Sequence, residues 1–149
     1  MRADKISIEF PDKWAVAEGE HEGLPLIIRF RQNLTQILSD HYPNLLTITW
    51  QLEQPSEQGL PEPPKSDDIK DFEQNLVKLV EDCNNSILAV VISNNGEREF
   101  LFYTNDVDTF SELLHKVPQK IEPYPIEISY KADERGEQYQ AIGNGLQGL

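Results

Sequence analysis

Cysteine, basic side chains and long apolar runs are all scarce in this sequence of 149 residues. A single cysteine, Cys83, permits neither an internal disulfide nor a cysteine-based metal site. No apolar run approaches the ~20 residues that span a bilayer. The opening stretch MRADKISIEF also lacks the apolar segment of a secretory signal. These absences predict a cytoplasmic protein with no membrane span.

Acidic residues outnumber basic ones, with 26 Asp and Glu against 13 Lys and Arg, which gives a net charge of −13. Most non-specific affinity for nucleic acid comes from Lys and Arg that neutralise phosphates. The charge therefore argues against DNA or RNA as a partner. It favours solubility and a basic protein as the partner.

The signatures of common catalytic and metal sites are missing. The sequence has no G-x-S-x-G elbow and no G-x-x-x-x-G-K-S/T phosphate loop. His21, His41 and His115 fall on three separate predicted elements, and none has the i, i+4 spacing of a helical zinc pair. We predict no catalytic residue, no metal site and no cofactor. We interpret Cys83 as a core thiol, because it lies on the apolar stripe of an acidic helix.

Two apolar runs joined by a tight turn form the centre of the predicted fold. Ile87–Ile92 and Phe100–Tyr103 are connected through Asn94-Asn95-Gly96-Glu97. Asn-Gly between apolar runs is the strongest short-range hairpin signal, because a type I′ turn needs positive φ at both central residues. The sequence therefore predicts an antiparallel pair at the middle of a sheet.

The remaining segments show either period-2 or helical apolar patterns. A proline-rich stretch, Glu53–Lys65, interrupts them and predicts a stiff surface loop. The predicted elements are a hairpin of Lys13–Glu18 and Leu24–Arg31, a short helix at Asn33–His41, a strand at Leu45–Leu52, a helix at Ser66–Cys83, a helix from Asn105 or Asp106 to about Lys116, and a strand at Tyr124–Tyr130.

From Leu45 onward this order is strand, helix, strand, strand, helix, strand. It predicts an α+β domain of the ferredoxin-like split β-α-β type, with a mainly antiparallel sheet, two helices on one face and an N-terminal β-hairpin extension. We expect one domain over residues 1–149, with its core at about 13–139 and a flexible glycine-rich tail at 140–149.

The strand Ile87–Ser93 would lie at a sheet edge in that topology, yet it is apolar on both faces. An open edge strand rarely has this composition, because it would promote aggregation. We infer that the N-terminal hairpin covers it, either by extending the sheet or by closing its second face. A dimer contact would meet the same need.

Three motifs in order give the chain a resemblance to a known family. Gly59-Leu60-Pro61 precedes an acidic helix, Gly96–Phe100 leads into Phe102-Tyr103, and Tyr130–Asp133 runs on to Gln138-Tyr139. Together they resemble the bacterial "domain of unknown function 695" family over roughly Trp14 to Tyr139. The resemblance implies an α+β domain without an established activity. Gly136 stands where the family's closing motif has a tryptophan.

Four residues are hard to explain as plain core or plain solvent positions, and we take them as candidate binding residues: Arg29, Arg98, Tyr103 and Tyr139. If the two hairpins pack side by side, Arg29 and Tyr103 line one cleft. There an arginine pairs with a carboxylate of a partner or of the fold itself.

The leading functional hypothesis is a non-catalytic interaction or regulatory module whose acidic surface binds a basic protein. The alternatives are a binder of small anionic ligands and a hydrolase-type enzyme, each using a cleft around Arg29 and Arg98. For the oligomeric state we expect a monomer or a weak homodimer.

Overall fold

The computed structural model describes residues 9–52, 65–118 and 124–146. Residues 53–64 of the predicted proline-rich loop, including the Gly59-Leu60-Pro61 motif, lie outside this part of the chain. None of the described helices is long and apolar enough to cross a membrane.

Within the described residues, six strands and four helices follow one another along the chain. The N-terminal half contains a hairpin, a helix of seven residues and a third strand, and the C-terminal half starts with the longest described helix. Their bounds are β1 (Trp14–His21), β2 (Leu24–Arg31), α1 (Thr35–His41), β3 (Asn44–Gln51), α2 (Lys65–Asp82), β4 (Ser86–Asn94), β5 (Glu97–Thr104), α3 (Val107–Leu114), β6 (Ile126–Ala132) and α4 (Glu137–Leu146).

All six strands form one antiparallel sheet in the order β1-β2-β4-β5-β3-β6. The turn between β4 and β5 has positive φ at both Asn95 and Gly96, as the Asn-Gly pair predicts. The turn between β1 and β2 uses Glu22 and Gly23 in the same way. The predicted central hairpin is therefore confirmed.

Helices cover both faces of the sheet. On one face, which we call the α2 face, Phe72 of α2 packs on Trp50 and Phe100, and Phe110 of α3 packs on Phe102. On the other, the α4 face, α1 and α4 contribute Leu38 and Tyr139 to a second cluster with side chains of β4 and β5. The core is thus divided into two layers by the sheet.

The α+β class and the mainly antiparallel sheet are confirmed, whereas the helix placement is not. The ferredoxin-like prediction put two helices on one face, but four helices lie on two faces of a six-stranded sheet. β2 pairs with β4 through Leu26–Phe30, so the N-terminal hairpin extends the sheet. This pairing, with helices on both sides, explains why β4 is apolar on both faces.

Two local predictions differ from the structure. The glycine-rich tail expected from Gln140 is helical up to Leu146, as part of α4. Cys83, interpreted as a core thiol, is exposed just after the end of α2, where its Sγ lies 3.3 Å from the carbonyl oxygen of Leu79. The apolar stripe of α2 predicts burial only as far as the helix extends, and Cys83 lies one residue beyond its end.

Two glycines of α4 provide a test of how closely that helix docks. A Cβ on Gly143 would lie 2.7 Å from Cζ of Phe30, whose ring stacks on Tyr139, whereas a Cβ on Gly145 would meet no atom of the described residues within 4 Å. We expect Gly143→Ala to lower the free energy of unfolding by about 1 kcal/mol, because the overpacking cost exceeds the gain in helix propensity.

Gly145→Ala is the matched control, and we expect it to raise the free energy of unfolding by about 0.5 kcal/mol through helix propensity alone. Chemical denaturation of both variants measures the difference. Equal gains for the two substitutions would mean that α4 does not pack on Phe30.

Candidate functional site

Arg29 lies on the α2 face and is already paired within the fold. Its Nη2 donates a hydrogen bond to Oε1 of Glu73 on α2, and its guanidinium lies 5.7 Å from the ring centre of Trp14. The carboxylate of Glu73 is mostly buried. The pair therefore holds β2 against α2, and Glu73 offsets the charge of Arg29.

Arg31, two residues along the same strand, is a second and more deeply buried link. Its Nη1 donates to Oε2 of Glu81 at 2.8 Å and to the carbonyl oxygen of Leu88 at 3.2 Å, and its Nε donates to the carbonyl oxygen of Pro11 at 2.7 Å. The side chain is only 7% exposed. Sequence reasoning singled out Arg29 but missed Arg31, although the i, i+2 spacing places both on one face of a strand.

Arg98 lies on the same face as Arg29 but has no carboxylate partner among the described residues. Its Nε donates to Oγ of Ser93 at 2.9 Å. Burial lowers the pKa of Arg98, and the nearby charge of Arg29 lowers it further, while Glu73 raises it. The structure thus brings two of the four candidate residues together on the α2 face.

Tyr103 and Tyr139 belong to a buried hydrogen-bond network on the α4 face. The hydroxyl of Tyr103 donates to Oδ2 of Asp133 at 2.7 Å and accepts from the amide of Tyr139 at 3.1 Å. The hydroxyl of Tyr139 donates to the carbonyl oxygen of Arg31 and accepts from the amide of Leu34. Burial raises the pKa of both tyrosines, and the bond to Asp133 raises that of Tyr103 further. Their hydroxyls therefore stay protonated at neutral pH.

Asp133 closes this network by capping α4. Its carboxylate accepts hydrogen bonds from the amides of Glu137 and Gln138 at 2.7 and 3.0 Å, at the start of the helix. Gly136, at φ +64°, forms the turn that directs these amides towards the carboxylate of Asp133. Because the sheet separates this network from Arg29 and Arg98, Arg29 and Tyr103 do not line one cleft.

The described helices cover only part of the α4 face, and the part that they leave uncovered is the candidate site. α1 and α4 pack over one half of the face, where they contact side chains such as Phe30 and Tyr103. No described helix covers the other half, which we call the open half-sheet. By strand register it consists of Leu26, Ile28, Thr49, Gln51, Ile92, Asn94, Glu97, Glu99 and Glu127.

Two shallow depressions of about 420 Å³ each meet on this surface, and Ile92 and Glu99 line both. One depression runs towards the β1–β2 turn at His21 and Glu22. The other runs beneath α4, towards Gln138. The surface is therefore a continuous trough across the sheet with Glu99 at its centre.

Glu99 is a partly buried carboxylate that accepts no hydrogen bond and forms no ion pair within the described part of the chain. Desolvation by burial raises its pKa, and the neighbouring carboxylate of Glu97 raises it further. Glu97, by contrast, accepts a hydrogen bond from Nε2 of Gln51 at 3.0 Å. A desolvated charge without a partner costs stability, so Glu99 is more readily explained by a role in binding than by a role in folding.

In the sequence, Glu97 and Glu99 flank Arg98 beside a turn, a pattern that also fits ordinary solvent-face residues. Their alternation with Arg98 does predict that the acids and the arginine point to opposite faces. What the sequence did not show is that α4 ends before covering this part of the sheet. The desolvation of Glu99 follows from that tertiary arrangement.

Replacing Glu99 with glutamine should stabilise the protein at neutral pH. A raised pKa means that the folded state favours the neutral carboxyl of Glu99. With respect to this group, the free energy of unfolding is highest below the unfolded pKa of about 4.3 and falls as the pH rises through the folded pKa. We expect Glu99→Gln to raise the free energy of unfolding at pH 7 by a fraction of a kcal/mol, after allowance for solvent screening. The gain should vanish as the pH falls towards 4.

Denaturant titration across this pH range measures the effect, with Glu18→Gln on the exposed part of β1 as the control. The control should leave stability nearly unchanged. A loss of stability in Glu99→Gln at pH 7 would show that the carboxylate has an internal partner, contrary to this interpretation.

The comparisons with known proteins give a family but no activity. No curated protein and no solved structure matches the chain. The model of a family of unknown function (DUF695) matches residues 12–142, most of the chain. The match includes the described strands and helices from β1 through the first half of α4. The chain therefore belongs to the DUF695 family, the one that its sequence motifs resemble.

Proposed function

We propose that the protein is a non-catalytic interaction module that binds a basic segment of a protein partner on the open half-sheet. The observation that carries the proposal is Glu99, a partly desolvated carboxylate with no partner in the described residues, at the centre of an uncovered trough. A Lys or Arg side chain placed there gains a charge-assisted hydrogen bond and removes the cost of the unpaired charge.

The composition of the trough favours an amphipathic basic segment over a free cation. Ile92 lies beside Glu99 on the adjacent strand, and Ile28 lies beside Ile92 on the strand after that. Apolar side chains of a partner would therefore pack next to the charged contact. Glu97 and the exposed Glu127 add negative charge on either side. Binding would combine modest apolar burial with electrostatic attraction that also speeds association.

The net charge of −13 supports the same type of partner from a distance. A protein of this charge attracts cationic partners over roughly a Debye length, about 8–10 Å at physiological ionic strength. Long-range attraction alone would act on every face. The open half-sheet adds local contacts that fix where the partner sits.

A defined cationic probe tests the proposal. We expect a fluorescent peptide that alternates lysine and leucine to bind the wild-type protein, and Glu97→Gln/Glu99→Gln to weaken its affinity by about tenfold, because two charged contacts are lost. Fluorescence anisotropy at several salt concentrations gives the dissociation constant and its salt dependence.

Glu18→Gln/Glu20→Gln is the matched control, because it removes the same charge at the same i, i+2 spacing from an exposed strand on the α2 face. We expect it to change the affinity less than about twofold, through net charge alone. Equal losses for the two double variants would contradict a specific site on the open half-sheet.

A second candidate, binding of a small anion, is favoured by one observation. Among the described residues, the partly buried guanidinium of Arg98 has Ser93 as its only hydrogen-bond partner and has no carboxylate within 4 Å. Titration with inorganic phosphate would then raise the melting temperature of the wild type but not of Arg98→Gln. A hydrolase-type reaction at this position has less support, because Glu73 is already engaged by Arg29.

Two finer interpretations also stand as proposals. We relate β3 to β6 to a split β-α-β unit, supported by the partial order β4-β5-β3-β6 and by α2 and α3 sharing one face, with β1, β2, α1 and α4 as additions. We also place the protein in the cytoplasm, a setting that fits its single unpaired cysteine.

A further inference from the structure

Among the described strands, β6 ends the sheet, and one row of its backbone groups has no strand partner. Pairing with β3 uses the odd-numbered residues, since the carbonyl of Pro125 accepts from Gln51 and the amide of Asp133 donates to Pro43 at the two ends of the ladder. In an antiparallel ladder the direction of these groups alternates. The amides and carbonyls of Ile128 and Tyr130 therefore point outward from the edge.

Large apolar side chains are exposed along this edge. Ile128 is 46% exposed and Tyr130 is 66% exposed, and both lie on the α2 face of β6. An exposed edge strand with apolar side chains is a template for pairing with another strand. The opposite edge, β1, exposes Val16 but places Glu18 and Glu20 on the same face and has no lysine or arginine to oppose them.

The sequence of β6 is complementary to itself when two copies run antiparallel. With Ser129 opposite Ser129 of the other copy, Glu127 lies opposite Lys131, and Ile128 lies opposite Tyr130. Glu127 and Lys131 share the α4 face, so two oppositely charged cross-strand pairs form on that side. On the α2 face, two pairs of Ile128 with Tyr130 form. The backbone amides and carbonyls of Ile128 and Tyr130 point outward from the edge, so each Ile128–Tyr130 pair also forms the backbone hydrogen bonds between the two copies.

We propose that the partner of the β6 edge is a second copy of this chain, in a two-fold dimer that joins two sheets through antiparallel β6 strands centred on Ser129. The register is specific. A shift of two residues, with Ile128 opposite Ile128, leaves Glu127 opposite Ser129 and removes both charge pairs. The inference rests on the edge of β6, and its tests measure self-association without a peptide. Glu127 belongs both to this edge and to the open half-sheet.

Charge swaps test both the dimer and its register. Sedimentation velocity from about 1 to 500 µM should show a weak dimer of the wild type, in line with a small interface. We expect Glu127→Lys and Lys131→Glu each to weaken dimerisation by about tenfold or more, because each turns two attractive pairs into repulsive ones. The double variant Glu127→Lys/Lys131→Glu should restore the wild-type affinity to within about threefold.

These variants separate the effect of the cross-strand charge pairs on dimerisation from the effect of net charge. The two single variants change the net charge in opposite directions, and the double variant leaves it unchanged. Val16→Thr on β1 is the control for the other edge and should not alter dimerisation. A wild type that stays monomeric at 500 µM, a double variant that fails to restore the dimer, or a loss caused by Val16→Thr would each overturn the proposal.

Amide hydrogen exchange supplies a readout that does not depend on substitutions. The amides of Ile128 and Tyr130 should exchange rapidly in dilute protein and gain protection as the concentration rises, because the second β6 then accepts their hydrogen bonds. Exchange at these two positions that does not change between dilute and concentrated protein would likewise overturn the proposed pairing.

Discussion

The α4 face of this protein depends on the hydrogen bonds that the buried carboxylate of Asp133 accepts. This carboxylate caps α4, binds the hydroxyl of Tyr103 and so attaches the C-terminal helix to the middle of the sheet. Tyr139 continues the attachment to β2 through the carbonyl of Arg31. Because α4 is held there and has only ten residues, it covers one half of the face, and no other described helix covers the rest.

The sheet is too wide for α1 and α4 to cover its α4 face completely. Arg31 and Glu81 form a mostly buried ion pair that fixes the N-terminal hairpin to α2, and pairing with β4 then makes the sheet six strands wide. On the α2 face, the 18 residues of α2 together with α3 cover the central strands. On the α4 face, α1 has only seven residues, so a trough remains with Glu99 at its centre.

Local signals predicted most of the elements but not how they assemble. The Asn95-Gly96 turn and the strand patterns follow from backbone sterics and side-chain alternation, which act over a few residues. Pairing of β2 with β4 was one of several ways to cover an apolar strand, and only the tertiary fold selects among them. α4 was missed because Gly143 and Gly145 suggest a frayed tail, whereas docking on Phe30 stabilises the helix.

The candidate site was predictable in its chemistry but not in its position. Charge indicated an acidic binding surface, and the sequence identified Arg29 as unusual, yet Glu73 already engages that arginine. The desolvation of Glu99 depends on strands and a helix far apart in sequence, so no local pattern reveals it. Glu127 and Lys131, near the two ends of β6, are visible in the sequence. They indicate self-pairing only once β6 is known to be an edge strand.

Mapping a bound basic peptide by amide chemical shifts is the most direct test of the central claim. On titration with the lysine–leucine peptide, we expect the largest shifts at Ile28, Ile92 and Glu99, together with saturation at one equivalent. Shifts confined to the α2 face, or spread evenly over all acidic side chains, would contradict the open half-sheet as the binding site.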